Sequence, residues 1–231
     1  DTHIAFAIES LDGAARKKAF QILDEERLAD VFSYFKAPLE YMDEIGMERF
    51  AAIVSDMDSD DAVDVLEELD DATRKRLAPL LQADARKAIR LIRSYDEDEI
   101  GSQMTTNFVR ISQGISVKQA TRSLILQADK NDNINTIYVS DGERHYVGAI
   151  DLKDLITARE YDDLEDIIVS SYPYVFAEEK IDACVDKIKE YAEDSIPVLD
   201  EERRIVGVIT ATDITELVDE EMGEDYAMLA G

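Results

Sequence analysis

Two stretches of eighteen residues decide the fold of this chain: IYVSDGERHYVGAIDLKD, from Ile137 to Asp154, and IPVLDEERRIVGVITATD, from Ile196 to Asp213. Laid over each other with an offset of 59 residues, they are identical at nine positions, far more than chance supplies. Each reads as an apolar strand, a charged turn, a second strand ending in VGAI or VGVI, and a helix that begins near the final aspartate.

A helical pattern precedes each repeat, at about residues 116–128 and 178–192, so the repeated unit has the order β-α-β-β-α. Tyr172, Tyr174 and Phe176 alternate with other residue types, which predicts a strand that packs one aromatic face. Neither copy is long enough to bury a core alone. We therefore expect the two copies to pack sheet to sheet as one pseudo-symmetric domain.

The first hundred residues have a different pattern. Their apolar residues recur at helical spacing, as in Leu28, Val31 and Phe32, and strand-like alternation is absent. These residues predict an all-α domain of short amphipathic helices stacked in a superhelix. The acidic run before Gly101 marks the boundary. The predicted order is a helical domain over 1–100, repeat modules over 101–163 and 164–218, and the start of a further helix over 219–231.

Charge restricts the partners of the chain. Asp and Glu number 53 against 25 Lys and Arg, a net charge of −28, which repels nucleic acids and anionic lipid surfaces and favours cations. No stretch approaches the roughly 18 apolar residues of a membrane span. A single cysteine, Cys184, excludes an internal disulfide and fits a reducing cytoplasm.

The repeated V-G-x-I-x-x-x-D motif resembles a CBS (cystathionine-β-synthase) module, and two such modules in tandem resemble a CBS pair. Before them, YDEDEIGSQMT over residues 95–105 is similar to the junction Y-E-E-D-E-A-G-G-L-M-T of MgtE-type magnesium transporters. That family has an acidic helical domain, then a CBS pair, then a connecting helix that leads into a membrane pore. The same order occurs here, so the resemblance covers essentially the whole chain.

The resemblance implies an α plus α/β fold and a regulatory region that is not an enzyme. It implies a homodimer at the cytoplasmic face of the membrane, attached to its own transmembrane pore domain, which this chain lacks. It also implies that several weakly bound Mg²⁺ ions hold the pore closed when intracellular magnesium is plentiful.

Two acidic clusters are candidate Mg²⁺ sites. Nine acidic residues and no basic residue lie between Asp56 and Asp71, and Asp60 and Asp64 stand at i, i+4 on one helical face, where unscreened like charges cost roughly 0.2–0.5 kcal/mol. For Asp60 the alternative is a solvated helix start favoured by the helix dipole. Asp64 lies deeper in the helix, and this favours its interpretation as a metal ligand over that of a solvated helix start. The second cluster, from Asp213 to Asp225, has seven acidic residues and again no basic one.

Carboxylate oxygens suit Mg²⁺, which keeps several of its waters and so needs only one or two carboxylates per site. One family carboxylate position falls at Ala192, so at least one site should be altered or absent. The resemblance places the remaining sensory carboxylates at Asp30, Asp60, Asp64, Asp213, Glu216, Glu221, Glu224 and Asp225.

A nucleotide site is the second candidate, because the motif aspartates Asp154 and Asp213 stand where many CBS modules bind a ribose. Some MgtE proteins bind ATP there and use aromatic residues around the adenine. Lys153 and Asp154 mark this site in the present chain. The aromatic positions fall at Thr136 and Glu193, neither of them aromatic, which argues against ATP.

Two other function classes remain as alternatives. The first is an adenine-nucleotide-sensing CBS regulator attached to another effector. The second is an enzyme with a carboxylate-bound metal. No nucleophile or base in a distinctive context supports the enzyme.

Overall fold

The structure is a computed structural model that describes residues 2–128, 130–191, 193–215 and 217. The predicted fold class is confirmed: helices come first, and two small β-sheets with their own helices follow. The chain divides into two units, residues 1–93 and 94–231.

The first unit is built from short helices. Asp12, Asp24 and Asp70 explain where three of them begin, because each aspartate accepts hydrogen bonds from backbone N–H groups in the first turn of the helix that follows it. The helices are α1 (Thr2–Glu9), α2 (Gly13–Ile22), α3 (Glu25–Phe32), α4 (Met42–Ile45), α5 (Met47–Asp56), α6 (Ser59–Glu67), α7 (Asp71–Leu77) and α8 (Ala83–Ile92), with a 3-10 turn at Pro38–Tyr41.

The core of this unit lies where α3 packs on α5 and α6 packs on α8. Phe20, Phe32 and Phe50 are almost completely buried. Phe32 is in ring contact with both of the others, with centroids 6.2 Å from Phe20 and 5.9 Å from Phe50. Aromatic pairs at such separations stabilise a core beyond their buried area.

The second unit contains two three-stranded sheets of identical topology, ordered β1-β2-β3 and β4-β5-β6. In each sheet the first pair of strands is parallel and the second pair is antiparallel. The elements are β1 (Val109–Ser112), α9 (Val117–Gln127), β2 (Thr136–Ser140), β3 (Tyr146–Asp151), α10 (Leu152–Thr157), β4 (Val175–Phe176), α11 (Ile181–Tyr191), β5 (Ser195–Leu199) and β6 (Ile205–Thr210), with 3-10 turns at Ile100–Gln103 and Leu164–Ile167 and a helical segment over 211–215.

The two repeats superpose in register as well as in sequence. Val139 pairs with Gly148 in the first sheet and Val198 pairs with Gly207 in the second, and a bulge follows at the same place in both. Each turn holds an arginine in the left-handed region, Arg144 at φ +74° and Arg203 at φ +63°. Non-glycine residues seldom adopt this conformation.

The predicted aromatic strand is shorter than its alternating pattern suggests. Tyr172, Tyr174 and Phe176 do pack against one hydrophobic cluster, but only Val175 and Phe176 pair with β5. Pro173, between the two tyrosines, has no N–H to donate to a ladder. The strand therefore begins after it.

A hydrophobic cluster joins the two modules. Tyr138 and Ala149 from the first sheet contact Leu199, Ile205 and Val208 from the second. Within the parts of the chain that are described, no helix combines the length and the apolar character that a membrane crossing needs.

Candidate functional site

Asp60 and Asp64 both lie on α6. Asp60 is in the first turn and half-buried, and its Oδ1 has almost no contact with solvent, whereas Asp64 lies one turn later and is exposed. The positive end of the helix dipole stabilises Asp60, but its effect fades beyond the first turn. An ion that approaches from solvent therefore meets the Asp64 side chain first.

Asp30 is placed differently from the other predicted ligands. It lies near the end of α3 with its side chain 44% exposed, and the Arg27 guanidinium is 3.4 Å from its carboxylate. A cation at Asp30 would have to compete with this arginine. The competition is weak, because exposed ion pairs contribute little.

Asp213 has a structural partner. Its Oδ2 accepts a hydrogen bond from the Thr210 N–H at 2.7 Å, and its own N–H points to the Thr210 hydroxyl at 3.4 Å. This reciprocal pair is a capping box at the start of the helical segment over 211–215. The sequence signal for it is Thr-x-x-Asp, which the interpretation of Asp213 as a metal ligand missed.

The remaining predicted ligands lie outside the described residues, and so does Ala192. They are Glu216, Glu221, Glu224 and Asp225. Among the side chains that are described, no group of three or more His, Cys, Asp or Glu residues is arranged to hold a metal ion. The structure thus brings Asp60 and Asp64 together on one helix and assembles no complete ligand set from its described part.

In each unit, a neighbouring carboxylate helps to raise the pKa of an acidic side chain. The Glu201 carboxylate raises the pKa of Glu178. Partial removal from water raises the pKa of Asp56, and the nearby Glu25 carboxylate adds to this effect. Both shifts mean that the ionised form is disfavoured, so a cation close to either carboxylate would be stabilised.

Lys153 and Asp154 lie in the first turn of α10, and both are exposed. At the start of this helix, Asp151 accepts a hydrogen bond from the Lys153 N–H at 2.7 Å. The geometry leaves the Lys153 and Asp154 side chains open to solvent.

An aromatic residue does lie beside the adenine positions, although neither of them is aromatic. The Tyr172 hydroxyl is 3.4 Å from the Thr136 hydroxyl and donates to the Ser195 carbonyl at 2.7 Å. Burial raises the pKa of Tyr172, and the Glu193 carboxylate raises it further. Sequence reasoning missed Tyr172, because it is 36 residues away from Thr136 and no motif links the two.

Comparisons with known proteins agree with this arrangement. The family model of the MgtE intracellular N domain matches residues 2–98, and the CBS domain model matches residues 97–161 and 164–220. The chain therefore belongs to the MgtE family. The N domain and the CBS pair follow one another in the order predicted from the sequence.

Two curated MgtE magnesium transporters are similar along almost the whole chain. The protein from Bacillus subtilis is 26% identical over 98% of the chain, and that from Thermus thermophilus is 28% identical over 96%. The chain spans about half the length of these MgtE relatives, 51% and 50%. Both are transporters rather than enzymes.

Two solved structures share the fold. A crystal structure of the soluble part of a magnesium transporter has a TM-score of 0.85 at 29% identity and covers 94% of this chain and 86% of its own. The cytosolic domain of the Mg²⁺ channel MgtE in complex with ATP has a TM-score of 0.82 at 27% identity and covers 93% of this chain and 88% of its own.

Proposed function

We propose that this chain is the cytosolic Mg²⁺-sensing regulatory region of a magnesium channel, and that it holds the pore closed at high intracellular Mg²⁺. The observation that carries the proposal is the joint match of an MgtE N domain and a CBS pair along nearly the whole chain, in a fold shared with the soluble part of a magnesium transporter. The pore would belong to the full-length protein at the cell membrane.

Electrostatics supports a response to divalent cations. A net charge of −28 opposes compaction, and the raised pKa values of Asp56 and Glu178 show carboxylates in unfavourable surroundings. A Mg²⁺ ion with most of its waters retained needs only one or two of these carboxylates per site. Weak sites of this kind suit an ion that is abundant in cells.

The ligands we propose follow from the family and from the described geometry. Asp64 is the first choice because it is exposed on α6 beyond the first turn, and Asp60 is its neighbour one turn earlier. Asp30 would bind Mg²⁺ in competition with Arg27. Asp213 would bind Mg²⁺ while it also caps its helix. Glu216, Glu221, Glu224 and Asp225 complete the proposed set.

The test is thermal unfolding in MgCl₂ against NaCl at equal ionic strength. At ten times the dissociation constant, one site adds about 1.4 kcal/mol, roughly 3–5 °C in melting temperature. Asp64→Asn should reduce the Mg²⁺-specific shift. Asp84→Asn, which removes one charge from an exposed position on α8, should leave it intact. Equal shifts in MgCl₂ and NaCl would reduce the effect to ionic screening.

We also propose that the chain forms a homodimer through α9 and α10. These helices border a groove of 640 Å³ whose apolar walls include Ile125, Leu126 and Ile156. These three side chains are 66%, 70% and 68% exposed, an unusual arrangement for a surface that stays free in water.

Charge favours a second copy as the occupant of this groove. Its rim carries both signs, with Lys118 and Arg122 opposite Glu160, and the Lys118 ammonium is 2.7 Å from the Glu160 carboxylate. Over the whole chain, acidic residues outnumber basic ones by 53 to 25. Two copies that meet at this rim bring opposite charges together, which a purely acidic face would not allow.

A second candidate function is adenine-nucleotide sensing. The observation in its favour is Tyr172, an aromatic side chain beside Thr136 and Glu193, with Lys153 and Asp154 exposed on α10. Calorimetry with ATP, ADP and AMP distinguishes the two functions. Tight binding that Asp154→Ala abolishes, without a Mg²⁺-specific response, would favour the nucleotide sensor.

A further inference from the structure

A cluster of hydrogen-bond donors lies at one end of the first sheet. Ser112 on β1 pairs with Ser140 on β2 in parallel register, and Arg110 pairs with Tyr138 two residues earlier. Because side chains alternate along a strand, Arg110, Ser112 and Ser140 share the face on which Tyr138 packs against the second module. Arg110 is half-buried there, Ser140 is buried and Ser112 is exposed.

A second arginine, Arg144, acts electrostatically on Arg110. Arg144 lies in the turn that follows β2, held at φ +74°. Burial lowers the pKa of Arg110, and the positive charge of Arg144 lowers it further, so the two guanidinium groups are close enough to repel. The Asp141 carboxylate, three residues before Arg144, accepts hydrogen bonds from the backbone N–H groups of Glu143 and His145.

Neither arginine forms an ion pair with a described residue. In the described part of the chain, no carboxylate lies within 4.0 Å of the Arg110 or Arg144 guanidinium. This is unusual in a chain with twice as many acidic as basic residues. A half-buried positive charge with a like charge beside it calls for a counter-ion.

In the second module, the arginine of the corresponding turn has a partner that is not a counter-ion. The repeat offset places Arg203 at the position of Arg144, and it also adopts a left-handed conformation. Val175 pairs with Val198 as Ile111 pairs with Val139, so Tyr174 stands at the position of Arg110.

Arg203 uses this tyrosine as its partner. Its guanidinium carbon lies 5.1 Å from the Tyr174 ring centroid, and a guanidinium nitrogen donates to the Tyr174 hydroxyl at 3.2 Å. A tyrosine is therefore sufficient to hold the turn arginine. In the first module, Arg110 stands where the second module has Tyr174. Holding the turn arginine in place does not require an arginine at this position.

We propose that Arg110, Ser112, Ser140 and Arg144 form a binding site for a phosphate group. Guanidinium groups match the geometry of phosphate oxygens, and the two hydroxyls add donors without adding negative charge. β2 runs from Thr136 to Ser140, so the site lies about 13 Å from the Thr136 end, which is the end beside the candidate nucleotide-binding residues. The proposal does not depend on Mg²⁺ sensing.

Calorimetry and thermal unfolding with inorganic phosphate, against chloride at equal ionic strength, test the proposal. Phosphate should raise the melting temperature of the unmodified chain by roughly 3–5 °C at ten times the dissociation constant. Arg110→Gln and Arg144→Gln should each weaken phosphate binding at least tenfold. Arg203→Gln, the matched change in the second module, should leave it unchanged.

The same titration with AMP distinguishes a phosphate ester from the free anion as the ligand. AMP binding that depends on Arg110 points to an ester, and a response to inorganic phosphate alone points to the free anion. Melting temperatures in chloride show whether each variant is folded. The proposal is overturned if phosphate acts no differently from chloride, or if Arg203→Gln weakens phosphate binding as much as Arg110→Gln does.

Discussion

The phenol oxygen of Tyr138 lies 2.6 Å from the hydroxyl oxygen of Ser195, and both residues are buried between the two CBS modules. Tyr138 belongs to β2 and Ser195 begins β5, so this hydrogen bond joins the two sheets directly. Burial raises the pKa of Tyr138 well above its ordinary value, which keeps the phenol protonated. The bond is a specific polar link inside an otherwise hydrophobic interface.

Tyr138→Phe should lower the free energy of unfolding of the second unit by about 1–2 kcal/mol, because the Ser195 hydroxyl loses its buried partner. Ser195→Ala should cost a similar amount, and the double variant should cost less than the sum of the two. Urea unfolding of the four proteins measures this coupling. Strict additivity would contradict a direct link.

Gly148 is required by the close approach of the backbone at Val169, which follows the 3-10 turn Leu164–Ile167. A Cβ at this position would lie 2.7 Å from the Val169 carbonyl oxygen, which is backbone and has little room to move. Gly148→Ala should therefore destabilise the second unit by roughly 1–3 kcal/mol. Gly142→Ala is the matched control in the adjoining turn, because its Cβ would meet nothing within 4 Å. Equal thermal stability of the two variants would refute the packing argument.

If the chain dimerises through α9 and α10, a charge in the groove between them should change the molecular mass of the particle in solution. Ile156→Asp places a charge in the groove between α9 and α10, and it should weaken self-association at least tenfold, about 1.4 kcal/mol. Ile22→Asp is the control, since Ile22 is 82% exposed on α2 of the first unit. Sedimentation equilibrium should show a 26.0 kDa monomer for the first variant and the dimer for the second. Identical masses would exclude this surface.

The ion pair between Arg16 and Glu44 predicts a pH dependence in the first unit. Two guanidinium nitrogens of Arg16 bind the two carboxylate oxygens of Glu44 at 2.9 and 2.5 Å, and this contact lowers the pKa of Glu44 from its ordinary value of 4.5. Its stabilisation is therefore complete above that value and disappears as the pH falls through the lowered value.

Glu44→Gln should cost about 1 kcal/mol at pH 7 and progressively less below pH 4.5. Asp43→Asn removes the same charge from an exposed position on α4 and should have a smaller effect. Denaturant unfolding of both variants across this pH range provides the comparison. A cost of Glu44→Gln that does not change with pH would show that the ion pair is not its source.

Much of the second unit could be predicted because its sequence repeats. The matched runs ending at Asp154 and Asp213 located β2, β3, β5 and β6, since each strand pair is local and its turn has a recognisable composition. Contacts distant in sequence gave no such signal. The Tyr138–Ser195 bond spans 57 residues, and the Thr136–Tyr172 contact spans 36.

The candidate site was less predictable than the fold. An aspartate in an acidic run has the same appearance in sequence whether it binds an ion, caps a helix or faces water. Asp213 proved to cap a helix through Thr210, and Asp30 lies beside Arg27, whereas Asp64 is an exposed carboxylate on α6. These differences depend on backbone geometry and on neighbours, which spacing alone does not specify.

Small-angle X-ray scattering across a Mg²⁺ titration at constant ionic strength tests the central claim most directly. If the chain is a Mg²⁺-responsive regulatory region, its radius of gyration should fall as MgCl₂ replaces NaCl in the millimolar range, and Asp60→Asn combined with Asp64→Asn should reduce the change. A radius of gyration that is the same in MgCl₂ and NaCl at every concentration would contradict the account, because ionic screening alone would then explain the effect of charge.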